Sequence, residues 1–161
     1  MRAWLIAGVL LAAPAADRLR GEGRTVEMSA QGGLKIDLAK QIGVATGDVV
    51  IERDDIIVCC DEATAHYSGR RIERVECRGR VAIVRPDGTR ARADLAVFEA
   101  SEDRVTLTGG AKLRSKEADL AGEAIVYDIG RDTLDVRGAK SRFRFAPAEL
   151  APLALDRKCP P

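Results

Sequence analysis

Aromatic residues are scarce in this chain of 161: three Phe, two Tyr and the single Trp4. A core must therefore come from Val, Ile, Leu and Ala, and a chain of this length can bury one without metals or many crosslinks. Histidine is reduced to His66. A hydrolytic triad needs a base within hydrogen-bond reach of a nucleophile and a third group to orient it, and nothing marks the nearby Ser68 or Asp61 for those tasks. A surplus of one charge is also missing, with 26 basic against 25 acidic side chains, so a nucleic-acid partner is not expected. Gly32-Gly33 and Gly109-Gly110 lack the Lys-Ser/Thr step or following helix of a phosphate cradle. The acids mostly recur at matching places in a repeat or lie in turns, as Asp54-Asp55 does, rather than pairing as general acid and base. These absences predict a chain that is not an enzyme and carries no cofactor and no metal.

Long apolar runs are missing as well. Trp4 to Ala13 follows the basic Arg2 and leads to Ala13-Pro14-Ala15, then to the polar Asp17-Arg18-Leu19-Arg20. At about ten residues this run falls short of the roughly 20 that span a bilayer. It reads as a signal peptide over residues 1–15, cleaved after Ala15 or Ala16, with an uncleaved anchor as the alternative. No Cys follows it to suggest a lipoprotein. Loss of Arg2 would leave 26 − 1 = 25 bases against 25 acids. Export puts Cys59, Cys60, Cys77 and Cys159 where disulfides persist.

What the chain does have is a repeat. Gly47, Gly79, Gly109 and Gly138 recur with a period of roughly 30 residues. Thr46-Gly47-Asp48-Val49 has counterparts in Arg78-Gly79-Arg80-Val81 and Thr108-Gly109-Gly110-Ala111. Tyr67, Phe98 and Tyr127 hold matching places ahead of the last three of these glycines. A fixed period of this size announces a repeat architecture. The chain divides into a partial first unit, three full ones and a closing strand from Ala139 to about Phe145.

Within each unit the hydrophobic period is two. Val49/Ile51, Val81/Ile83 and Ala111/Leu113 alternate with polar or smaller residues, as do Val75/Cys77, Val105/Leu107 and Leu134/Val136. That is the pattern of strands with one buried face. Turns are expected at Ser68-Gly69, Pro86-Asp87-Gly88 and Gly130. Residues 117–126 could be drawn as a helix, but residues 91–98 fill the same slot beside a Pro-Asp-Gly turn and read as extended. Each unit is expected to supply two to four short strands that bury their apolar side by stacking. Residues 146–161, rich in Pro and Ala, lack the repeat and form a tail or cap.

Cys60 and Cys77 both align with apolar positions of the other units. A hairpin centred between Ser68 and Gly69 would set them opposite each other, predicting a disulfide that closes a loop of about 18 residues. Cys59 points to the other face and could join Cys159. Buried free thiols are the alternative; no zinc spacing is present.

An exported β-stack without catalytic groups points to binding or scaffolding. Small inward residues, among them Ala91, Ala93, Ala111, Gly122 and Ala124, leave room for an apolar ligand or else mark a thin, closed sandwich. Unpaired end strands could extend the sheet into another molecule, by head-to-tail self-association or docking on a similar protein.

The stretches 45–51, 91–99, 105–110 and 120–128 carry a resemblance to the OstA-like family, which covers residues 22–145. The resemblance implies an all-β, open β-jellyroll (β-taco) of stacked antiparallel strands in the periplasm. It implies carriage of lipopolysaccharide between the membranes, with lipid A acyl chains on the inner face. It also implies end-on contact with the inner-membrane export complex and with the outer-membrane translocon. The matching groove positions are Val49, Ile51, Val81, Ile83, Leu95, Phe98, Val105, Leu107, Leu113, Ile125, Tyr127, Leu134 and Val136. A membrane-anchored sister component of the same export system, or a non-lipid structural module, are the alternatives.

Overall fold

The computed structural model describes residues 26–53, 56–138, 141–145 and 159. The expected signal peptide and all of the tail except Cys159 lie outside them. Ten strands follow one another: β1 Val26–Ser29, β2 Gly33–Asp37, β3 Ile42–Arg53, β4 Ile56–Ser68, β5 Arg71–Val84, β6 Arg90–Glu99, β7 Arg104–Arg114, β8 Ala118–Asp128, β9 Thr133–Arg137 and β10 Arg142–Phe145. Residues 118–126, the segment that could be drawn as a helix, are a strand. All strands join one antiparallel sheet in the order β1-β3-β4-β5-β6-β7-β8-β10, with β2 also on β3 and β9 also on β8.

The six central strands are longer than the short segments expected, 10 to 14 residues each. They are long because each is bent rather than ended. The register slips at Thr46/Val49, Cys59/Glu62, Arg78/Val81, Arg92/Leu95 and Thr108/Ala111, and bulges of this kind bend a strand and increase its twist. The slips line up from strand to strand, so the sheet creases along one line. The end strands are cut there: β2 pairs with residues 42–46 of β3 and β1 with residues 50–53. Likewise β9 and β10 take the two arms of β8. Each unit thus contributes two long strands, and each strand contributes an arm to both walls.

The repeated glycines sit on the crease. Gly47, Gly79 and Gly109 have φ of 75°, 75° and 80°, a left-handed region that side chains enter at a cost. At Gly109 a Cβ would lie 2.6 Å from the Cβ of Asp94 on the neighbouring strand. Missing side chains on β5 and β7 make room for the acids Asp61 and Asp94 of β4 and β6. The Arg80 Nε–H donates to Asp61 across the crease at 2.8 Å. Gly109→Val combines backbone strain with this clash, so chemical denaturation should show a loss of about 2–4 kcal/mol. A loss under about 0.5 kcal/mol, the size of an ordinary surface substitution, would mean that the crease does not require glycine.

Both arms turn one face inward onto a single apolar cluster, and no polar or charged residue is buried among the described residues. Burial is graded with distance from the crease. Ala45, Val49, Ala63, Ala111 and Ile125 are fully buried close to it. Further out along the arms, Ile83, Phe98, Val105 and Leu113 are only partly buried. Three alanines, Ala45, Ala63 and Ala111, let the arms close at the apex beside Val49 and Ile125, and the larger side chains further out hold the wedge open.

Candidate functional site: an apolar groove between the arms

The open side of the wedge is a groove of about 680 Å³, a size suited to a lipid or drug-sized ligand. It runs across the sheet from Val26 on β1 to Leu134 and Val136 on β9. Seven strand spacings of about 4.8 Å make the sheet roughly 34 Å long in this direction. The walls are aliphatic, and charged and polar side chains such as Arg53, Arg85, Thr89, Glu117 and Asp132 stand where the arms end.

Every predicted groove residue lines this groove except Val49, Val81 and Leu95. Val49 and Val81 face inward as expected, but each lies just past a crease glycine and is sealed at the apex, 0% and 2% exposed. Leu95 is a true reversal. On β4, β6 and β8 the inward alternation changes parity at the crease, on β6 from Ala91/Ala93 to Ala96/Phe98. Leu95 comes directly after the change, pairs with Arg78 and Thr108, and lies outside the inner cluster. Ile56, Val58, Ile72 and Leu120 are wall residues that the repeat comparison did not single out. The signal for two of them was the same alternation, since Val58 and Leu120 lie two residues along their strands from the inward Cys60 and Ala118, whereas Ile72 reaches the wall through the register slip at His66/Tyr67.

Of the two expected pairings the structure has one: Cys59 is bonded to Cys159, whereas Cys60 and Cys77 are not bonded to each other but free and buried. The hairpin turns one residue later than expected, on Gly69-Arg70, and the ladder slips again between His66 and Tyr67. Cys77 therefore faces Ala63 rather than Cys60. The two thiols remain neighbours: a hydrogen bond with Cys60, added to burial, pushes the Cys77 thiol well above its usual range. Alkylation of the unreduced protein in denaturant should label two thiols, mapping to Cys60 and Cys77. Four labelled thiols without reductant would contradict the pairing.

His66 pairs with Ile42 and Arg74 near the end of an arm. Among the described residues no group of three His, Cys, Asp or Glu is placed to hold a metal ion. The arrangement can enclose apolar chains and present charge at their ends.

Comparison with known proteins agrees with this geometry. In structure the chain is similar to LptH of Pseudomonas aeruginosa, described as the LptA homologous periplasmic component of the conserved lipopolysaccharide transport device. The TM-score is 0.70 at 19% identity, with 77% of this chain and 96% of that chain covered. None of the curated proteins compared matches the chain in sequence. Residues 29–133 match the family described as LptA/(LptD N-terminal domain) LPS transport protein. That span covers most of the creased sheet, from the end of β1 to the start of β9. The chain belongs to this family of lipopolysaccharide-transport proteins.

Proposed function

We propose that the chain is a periplasmic bridge protein that holds lipopolysaccharide by its acyl chains in the groove and hands it from the inner-membrane export complex toward the outer-membrane translocon. The observation that carries this reading is the groove itself, apolar and extending from one edge of the sheet to the other in a chain of this family. Each buried CH₂ is favoured by about 0.8 kcal/mol. A chain of ten methylenes would therefore gain about 8 kcal/mol before the costs of ordering it. Movement then needs no chemistry in this protein, only successive sites of similar affinity.

The end strands support the partner assignment. Among the described residues, β1 and β2 at one edge and β9 and β10 at the other pair on one side only, and such edges can continue the sheet into a similar domain. Leu34 and Ile36 of β2 are 56% and 54% exposed. Both share the inner face with Ala45 through the register of β2 on β3. Leu134 is 44% exposed at the opposite edge. Apolar inner faces bare at both ends fit end-on docking of β-stacked partners or of further copies of this chain.

Photo-crosslinking in cells tests the carriage. A photoreactive residue at Leu113 or Tyr127, on opposite walls, should yield adducts that carry lipopolysaccharide. Adducts with neighbouring proteins alone would contradict carriage and favour a scaffold.

A further inference from the structure

Two arginines reach across the open side of the groove. Arg53 ends the outer arm of β3, and its Cζ lies 5.1 Å from the ring centroid of Phe98, near the far end of the other arm of β6. Arg85 follows β5, and its Cζ lies 6.0 Å from the ring centroid of Tyr127 on β8. The two contacts are copies made by the repeat. Arg53 and Arg85 occupy the same place after the crease glycines Gly47 and Gly79, and Phe98 and Tyr127 the same place before Gly109 and Gly138. The same internal period that builds the walls therefore spaces two cations along the mouth, about two strand widths apart (roughly 10 Å).

The surroundings of these cations differ. Among the described residues Arg53 makes no ion pair with a carboxylate. Arg85 has Asp87 at 3.8 Å, and Asp132 is close by, accepting a 2.8 Å hydrogen bond from the Tyr127 hydroxyl. Both arginines line the groove. A guanidinium on an aromatic face is held weakly, whereas phosphate offers it a bidentate, charge-assisted pair. An amphiphile with its chains between the arms brings its headgroup to the ends of the arms, where these side chains are.

Building on the lipid-carrying reading above, we propose that Arg53, assisted by Arg85, is the site for the headgroup phosphate of an acylated ligand. The arginine–aromatic contacts are its resting state. The guanidinium leaves the Phe98 ring when a phosphate arrives, so the mouth opens as the ligand seats. Arg53 contributes more than Arg85, because Asp87 and Asp132 already stand beside Arg85, whereas among the described residues no carboxylate pairs with Arg53.

The test uses the full chain and a fluorescent naphthylamine probe bound in the groove. Dodecyl phosphate and dodecyl maltoside, both below their micellar concentrations, compete for it, with inorganic phosphate as a third competitor. The unchanged protein should bind dodecyl phosphate roughly tenfold more tightly than dodecyl maltoside. Arg53→Gln should remove most of that preference by weakening dodecyl phosphate far more than dodecyl maltoside, whose remaining binding reports an intact groove. Arg85→Gln should remove less, and Arg53→Lys should keep part of the preference, as a point charge without the planar fork does. Inorganic phosphate alone should not displace the probe. Equal affinity for the two amphiphiles would overturn the proposal and leave the groove reading standing. So would an Arg53→Gln variant that weakens both amphiphiles alike, which assigns Arg53 to packing, or displacement by inorganic phosphate alone. If neither the probe nor dodecyl maltoside binds, the groove reading itself fails and this inference falls with it.

Discussion

Replacing Cys59 with Ser should lower the unfolding free energy of the native, unreduced protein by about 3–5 kcal/mol, one of the largest effects of any single substitution in this chain. The bond joins residues 100 positions apart, so in the unfolded chain it closes a loop containing everything from β4 to the C-terminal segment. For a loop of that length the entropic model gives close to about 5 kcal/mol, and removal of native disulfides typically costs roughly 2–5 kcal/mol. The geometry of the staple adds a second reason. Cys59 pairs with Val50 and Ala82, in a row that continues through Arg92 on the outer face, yet it is only 6% exposed. Between β10, where the ladder ends, and β4 lie five strand spacings, about 24 Å, which the stretch of chain from Phe145 to Cys159 is long enough to span. The bond thus ties the chain's end back across the sheet rather than crosslinking one hairpin. Denaturant titration with and without reductant measures the effect. A Cys59→Ser variant within about 1 kcal/mol of the unreduced parent would show that the staple does not support the fold.

Placing a carboxylate on either wall of the groove should abolish uptake of apolar ligands. Val105 and Leu113 are the positions of choice, because they stand on the two arms of β7, on either side of the crease pair Gly109-Gly110. Both line the groove and are only partly buried. An aspartate there can stay hydrated while the groove is empty, so the fold tolerates it. Once chains fill the groove the charge must lose water, at a cost of several kcal/mol. Val105→Asp or Leu113→Asp should therefore reduce affinity for an apolar probe by at least about tenfold. Thr106→Asp, on the opposite face between Val97 and Val126, should leave it within about twofold, because its charge stays in water. Probe fluorescence titrations decide this. Equal losses at Leu113 and Thr106 would place the ligand somewhere other than between the arms.

The repeat was legible because each copy must cross the same crease. Gly47, Gly79 and Gly109 adopt a positive φ in equivalent places, and that requirement recurs in the sequence as a period. Alternation was legible within each arm, which is why Ile51, Ile83 and Leu113 could be read as facing inward. It failed at the crease, where the parity change on β6 put Leu95 on the other face. It also carried no depth. Val49 and Ile51 look alike as inward residues of one strand, and only their distance from the crease makes the first apex and the second wall. The cysteine pairing depended on a turn displaced by one residue and on a further slip at His66/Tyr67; neither leaves a mark in hydrophobic pattern. The arginine–aromatic contacts were hidden for a different reason. Arg53 and Phe98 are far apart along the chain and meet only because the sheet folds onto itself.

Methyl NMR of the full chain, titrated with lipopolysaccharide, tests the central claim most directly. Occupation of the groove predicts that Ile51, Ile83, Val105 and Leu113 methyls shift together, on both arms, while Val50, Leu95 and Val97 stay in place. Shifts confined to the outer face or to the end strands would contradict it.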